Sequence, residues 1–321
     1  MTKDNFDLPV RSVSFSQIDW ADTTYRITYH RPVEKLARSI ETIGLRQAIV
    51  LQEKKASHYR IVTGFRRLLA LQKIRKDPVS CKIATLEAEE KELFLFNFHE
   101  NLDRGFNLVE LSLVLVKLSA FLEENELIHH YLPLLNLPPR KETIERLFLI
   151  NEISPIYRPA LLQGRLFPET VERVVRDFSP TAHLIFALFI FLHWGFQKQK
   201  EFLSDLKEIG VRRRQEPEKI LSVLPIEKFL RHFSWTPQQK GEALRKYFRT
   251  SLFPILTETE KCFEAIISPL NLDQRTRIYP PPFFEGGRYG LDVRFSNPDE
   301  LKASLQKILE ILEEGKLDGL P

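Results

Sequence analysis

Apolar positions along the chain change period at two places, and each change marks a change of element type. From residue 10 to 86, short β-branched runs alternate with helical spacings. Val13 to Ile18 predicts a first strand. Val33, Leu36, Ala37, Ile40 and Ile43 recur at helical intervals after Pro32 and stop at Gly44, a helix with both ends marked. Ala48 to Leu51 and Tyr59 to Val62 predict a hairpin across a polar loop, Leu68, Leu69, Leu71 and Ile74 a second helix, and Val79 to Ala84 a further strand.

From Glu87 the pattern is helical almost throughout. Glu89 to Asn101 and Leu108 to Leu122 are predicted helices. Leu127 to Leu135, a turn at Asn136-Leu137-Pro138-Pro139 and Lys141 to Ile150 have the layout of a helix-turn-helix. Pro155 to Gln163 and Pro168 to Asp177 follow, then an apolar run, Leu184 to Leu192, far shorter than the roughly 20 residues a membrane helix needs. It reads as a buried helix. Glu216 to Ile226 reads as a boundary and Ile226 to Ile267 as helical, with Trp235, Tyr247 and Phe248 as core residues. The period-2 pattern returns at Ile278 and at Leu291 to Phe295 around Gly286-Gly287, a predicted hairpin, before a last helix, Asp299 to Leu312. The fold class is therefore α+β: a small mixed domain (1–106), a mainly helical domain with a helix-turn-helix (107–215) and a C-terminal region, helical and then a β-hairpin and terminal helix (216–321).

Composition narrows the chemistry. With 47 Lys and Arg against 43 Asp and Glu the net charge is +4, so a surface for a polyanion has to come from local clustering, as at Arg212-Arg213-Arg214. Cys81 and Cys262 are far apart with no metal-ligand spacing, which fits a reducing cytoplasm and gives no zinc signature. The N-terminus lacks the apolar core of a signal peptide.

Three junction stretches carry the candidate chemistry: Gly44-Leu45-Arg46-Gln47, Thr63-Gly64-Phe65-Arg66-Arg67 and Glu100-Asn101-Leu102-Asp103-Arg104. Gly64 permits a tight strand-to-helix turn, the helix start presents free amides, and Arg66 and Arg67 add guanidinium forks suited to phosphate. Glu100 is a candidate magnesium ligand, Asn101 a ligand to metal-bound oxygen or phosphate, and Arg104 a neutralising charge. The competing explanation is a helix cap and a solvated surface. Arg140, Lys141 and Arg146 are the candidate DNA contacts on the second helix of the helix-turn-helix.

These stretches resemble a known family. Leu36-Ala37-Arg38-Ser39-Ile40 with Gly44-Leu45-Arg46-Gln47-Ala48-Ile49-Val50 is similar to the opening of the ParB N-terminal domain. Thr63-Gly64-Phe65-Arg66-Arg67-Leu68-Leu69-Ala70 is similar to its GERRxxA box, and Glu100-Asn101-Leu102-Asp103-Arg104 to its ENxxR box. The likeness extends over residues 10 to about 178. It implies a ParB/sulfiredoxin-type nucleotide-binding fold joined to a DNA-binding helical domain, CTP with magnesium as cofactor, a homodimer, and a cytoplasmic, nucleoid-associated protein of chromosome or plasmid partition with no membrane partner. The nucleotide-binding set it implies is Gly44, Arg46, Gln47, Thr63, Gly64, Arg66, Arg67, Asn101 and Arg104, with Glu100 and Asn101 at the metal.

The chain departs from the pattern at Phe65, where the family has Glu, at Ala48, where it has Pro, and at Pro133 inside the first helix of the helix-turn-helix. Phe65 predicts nucleotide binding with little turnover, and no catalytic residue is assigned. Two rival functions stay open: a nucleotide-dependent phosphotransferase on the same fold, and an adaptor that binds no nucleotide.

Overall fold

The computed structural model of the chain describes residues 8–223 and 234–321. Two compact units divide the chain, residues 1–190 and 191–321.

The first unit begins with a four-stranded sheet of β1 (Val10–Val13), β2 (Ile49–Glu53), β3 (Tyr59–Thr63) and β4 (Val79–Ala84), in the order β1-β4-β2-β3. β1 runs antiparallel to β4, β4 parallel to β2, and β2 antiparallel to β3. Alternation sorts the side chains: Ile49, Leu51, Ile61, Cys81 and Ile83 join one core with Ala37 and Ile40 of α1 (Glu34–Ile43) and Leu68 and Leu71 of α2 (Phe65–Lys73). Gln52, on the other face, is buried but satisfied, accepting from the Tyr25 hydroxyl at 2.9 Å and donating to the Ala88 carbonyl at 3.1 Å. α3 (Glu90–Asn101) packs against β3 and buries Phe94 and Phe98.

The expected first strand is displaced. Val13 to Ile18 is not a strand: the pairing lies at Val10–Val13, and Phe15–Gln17 is a 3-10 turn. Gln17 explains this, since its side chain accepts from the Ser14 amide at 3.0 Å and takes that donor out of any ladder. α1 ends at Gly44, whose φ of +76° and bond to the Ile40 carbonyl at 2.9 Å close the last turn.

Beyond α3 the unit is helical. α4 (Leu108–Leu118) starts on a capping box, the Asn107 side chain accepting from the Glu110 amide at 3.0 Å. It is shorter than the spacing predicts, ending at Leu118 rather than Leu122. α4 packs on the helix Lys141–Glu152, which packs in turn on Pro168–Asp177. Before Lys141 the chain is helical over 124–134, with a π-turn at Leu127–Tyr131 just ahead of Pro133. A proline ring clashes with the carbonyl four residues earlier, and the wider turn relieves that crowding without ending the helix. The helix Ala182–Leu192 buries Ile185, Phe186, Leu188, Phe189 and Leu192, as its apolar run predicts, while Leu184 and Phe191 stay exposed.

In the second unit Phe196–Arg213 packs against Pro237–Leu252, which is followed by Pro254–Ile267. The expected boundary at 216–226 is helical over Pro217–Val223 with Ile220 and Leu221 buried, so polar composition there marks a solvated helix face; residues 224–233 lie outside the described residues. Of the expected core aromatics, Phe248 is buried, and Trp235 and Tyr247 are half-buried. The hairpin is β5 (Thr276–Tyr279) with β6 (Gly290–Val293), and Pro298–Glu313 is the terminal helix. Both cysteines are free, Cys81 buried and Cys262 exposed. Among the described residues no single helix is long and apolar enough to cross a membrane.

Candidate functional site

The strand-to-helix turn from β3 into α2 sets the site. Gly64 caps α2 with a φ of +95°, and a Cβ there would meet Ile49 Cγ1 at 3.0 Å, so glycine is required both by conformation and by space. The first helical bond runs from the Leu68 amide to the Gly64 carbonyl at 2.9 Å. The amides of Phe65, Arg66 and Arg67 precede it and point out of the helix start as free donors.

Arg67 ties the three sequence stretches together. Its Nη1 donates to the Ala48 carbonyl at 2.7 Å and its Nη2 to Glu100 Oε2 at 3.2 Å. The Thr63 hydroxyl donates to the same Glu100 oxygen at 2.5 Å. Glu100 therefore holds the end of α3 against the β3–α2 turn through one oxygen, while Oε1 accepts no hydrogen bond among the described residues. Arg66 is differently placed. Its Nη2 donates to the Pro32 carbonyl at 3.0 Å, but its Nε is buried with no partner among the described residues. An unpaired buried donor on a cation is costly unless an acceptor arrives.

A polar relay continues from α3. Asn97 donates to the Tyr25 carbonyl at 2.6 Å, Asn101 Nδ2 to the Asn97 carbonyl at 2.7 Å, and Arg104 Nε to Asn101 Oδ1 at 2.5 Å. Arg104 Nη1 then donates to Glu110, whose side chain has no exposed surface. Arg31 closes the group: its Nη2 donates to Glu110 Oε2 at 2.7 Å and to the Gly105 carbonyl at 2.8 Å. Burial pushes the Arg104 guanidinium below its ordinary value, as do its like-charged neighbours Arg31 and Arg66, against the pull of Glu110. Arg31 and Arg104 thus share one carboxylate with Arg66 as a third cation nearby, an excess of positive charge at the start of α2.

The structure brings together Thr63, Gly64, Arg66, Arg67, Glu100, Asn101 and Arg104 where the β3–α2 turn meets the end of α3. Gly44 ends α1, and Arg46 and Gln47 are exposed in the loop before β2. Arg31, Asn97 and Glu110 belong to the group but escaped the sequence reading. Arg31 and Glu110 are 79 residues apart and no local pattern links them, although Glu110 at the third position after Asn107 does signal a capping box. Among the described residues no cluster of three His, Cys, Asp or Glu side chains has the makings of a metal site by itself. Phe65 is 8% exposed within the core shared by α1 and α2, with the Arg26 guanidinium 5.8 Å from its ring centroid.

On the helix Lys141–Glu152, Arg140 is the exposed N-cap residue, Lys141 pairs with Glu124 at 3.0 Å, and Arg146 donates to Glu172 at 2.7 Å. Arg176 joins this network through Glu145 and Glu172.

Residues 6–102 match the family model of the ParB N-terminal domain, and all three junction stretches lie within or at the edge of the matched segment. Among solved structures the chain is similar to the C-terminally truncated chromosome-partitioning protein ParB from Caulobacter crescentus complexed to the centromeric parS site, at 16% identity and a TM-score of 0.34, over 60% of this chain and 98% of that one. It is also similar to that truncated protein complexed with CTP-gamma-S, at 17% identity and a TM-score of 0.25, over 55% and 98%. No curated protein sequence matches.

Proposed function

We propose that this is a ParB-like DNA-binding protein in which CTP with magnesium, held at the start of α2, controls how the helical region engages duplex DNA. The observation that carries the reading is Arg66 Nε, a buried donor without an acceptor, beside three free helix-start amides and the arginine excess around Glu110. These groups fit a phosphate chain. Glu100 Oε1 fits a divalent cation carried by those phosphates, and Asn101, oriented by Asn97 and Arg104, fits a phosphate or metal-bound oxygen. The stretch 124–152 would serve as the helix-turn-helix, Arg140, Lys141 and Arg146 contacting phosphate. The setting is the nucleoid, in the cytoplasm, in chromosome or plasmid partition or a related regulatory role, with the protein acting as a homodimer.

Calorimetric titration with CTP, ATP and GTP, each with magnesium and with or without DNA, tests this reading. Saturable binding of CTP is expected, weakened about ten-fold or more in Arg66→Ala and in Asn101→Ala, because each removes a charge-assisted or oriented contact of roughly 1.5 to 3 kcal/mol. Equal affinity in both variants would mean the site lies elsewhere. Arg67 and Thr63 are already engaged by Ala48 and Glu100, which favours a second reading, an adaptor that keeps the fold and binds no nucleotide. Absence of any heat with all three nucleotides selects it.

A further inference from the structure

Strand β3 ends at the Gly64 turn, and its other end opens into a second cleft. This cleft, about 760 Å³ and open to solvent, lies between the turn at residues 16–21 and the β2–β3 connection. Trp20 and Leu86 are apolar walls, and Lys54, Lys55, His58 and Arg60 stand around it. It shares no residue with the arginine group at Gly64. Arg60 and Gly64 are four residues apart on an extended strand, about 13 Å.

One of its cations is already neutralised. Lys54 Nζ donates to Asp19 Oδ2 at 2.7 Å and to Asp22 Oδ2 at 3.0 Å, and the Lys54 hydrogen bond holds the Asp19 carboxyl below its ordinary value. Arg60 is left short of acceptors. Its Nε is buried with no hydrogen-bond partner among the described residues, its Nη1 reaches the Thr24 hydroxyl only at 3.4 Å, and Asp22 Oδ2 stands 3.9 Å from Nε, beyond hydrogen-bond range. A guanidinium presents five donors in a planar fork, and this one is held in a cleft with most of them unused. Lys55 adds an exposed ammonium at the rim.

We infer that this cleft is a binding site for a small molecule bearing one oxyanion on a flat apolar body. The Arg60 fork takes the oxyanion, Lys55 contributes charge, and the body lies against the indole of Trp20 and the half-exposed Leu86. Carboxylate and phosphate share this chemistry. Asp19 and Asp22, occupied by Lys54, limit the net positive charge of the cleft, so a single oxyanion suits it better than a polyanion.

Nuclear magnetic resonance on the full chain, following the Trp20 indole and Arg60 Nε–H signals, tests the site with benzoate, phenyl phosphate and inorganic phosphate. Saturable shifts of both signals are expected with benzoate or phenyl phosphate, and the tighter of the two identifies the oxyanion. Inorganic phosphate lacks the apolar body and binds about ten-fold more weakly or less. Arg60→Gln loses about ten-fold or more in affinity. Lys55→Gln, at an exposed position, weakens binding several-fold with an unchanged melting temperature, and decides the matter should Arg60→Gln disturb the Asp22 loop. Shifts that grow linearly without saturation overturn the inference, as does parental affinity in Lys55→Gln or in a folded Arg60→Gln.

Discussion

Glu110, whose side chain has no exposed surface, accepts hydrogen bonds from the side chains of Arg31 and Arg104 and from the amides of Tyr29 and Asn107. Burial pushes such a carboxyl up, but these bonds outweigh burial and hold it below its ordinary value of 4.5. A depressed folded-state value means that the stabilisation is complete above the unfolded value and is lost as pH falls through the folded one. Glu110→Gln is therefore expected to cost about 3 kcal/mol near neutrality, because two partly buried guanidinium groups lose their counter-charge. The loss should shrink below pH 4.5, which denaturant unfolding of both proteins along a pH series measures. A constant gap down the acid limb would mean that Glu110 is not the ionised partner. Phe65 shows the converse. From sequence it reads as a lost carboxylate, yet its ring completes the core of α1 and α2. Phe65→Glu is expected to lower stability by several kcal/mol rather than to create turnover; a variant with parental melting temperature and raised phosphate release from CTP would refute this. The boxes were legible because glycine and paired arginines punctuate the sequence. The Arg31 and Glu110 hub was not, because convergence of side chains from distant positions leaves no periodic trace.

Elements were legible in proportion to their burial. β4, buried at four of its six positions, and the helix Pro168–Asp177 appear at their predicted bounds. β1 was misread because three of its four residues are exposed at the sheet edge, while the more apolar Phe15 and Ile18 belong to the turn that follows. Pro133 was read as a break in the first helix of the pair, yet the π-turn before it carries the helical course to 134. For DNA binding, the ion pairs of Lys141 with Glu124 and of Arg146 with Glu172 matter, since a cation shared with a carboxylate releases fewer counterions on meeting phosphate. Arg140 has no such partner among the described residues, so Arg140→Ala is expected to lower the salt dependence of duplex binding by nearly a full unit of log–log slope, about 0.9 per contact, and Lys141→Ala and Arg146→Ala by less. A triple alanine variant with the parental slope would take this helix out of the interface.

At the scale of the whole molecule, the terminal helix is the candidate contact for the proposed homodimer. The stripe Leu301, Leu305, Ile308, Leu309 and Leu312 reads from sequence as either core or dimer contact, and the structure divides it. Ile308 and Ile311 are buried, whereas Leu305, Leu309 and Leu312 are 44%, 56% and 53% exposed. Spacings of four and three put these leucines on one helix face, a self-complementary seam for a two-fold contact. Covering half a leucine contributes about 1 kcal/mol, so six of them across a symmetric pair supply roughly 6 kcal/mol, near the lower end of what association costs. The stripe alone therefore makes a weak dimer, and a tight one needs other exposed apolar groups of the same unit, such as Leu291 and Phe295. Removing the helix is a poor test, because it strips Ile308 and Ile311 from the core and unfolding would mask the result. Replacing Leu305, Leu309 and Leu312 together by Lys leaves that core intact. Sedimentation equilibrium is expected to show concentration-dependent dimers in the parent and monomers in the variant, with melting temperatures that converge at high dilution. A parent that stays monomeric at every concentration, or a variant that dimerises as well as the parent, would assign the stripe to solvent.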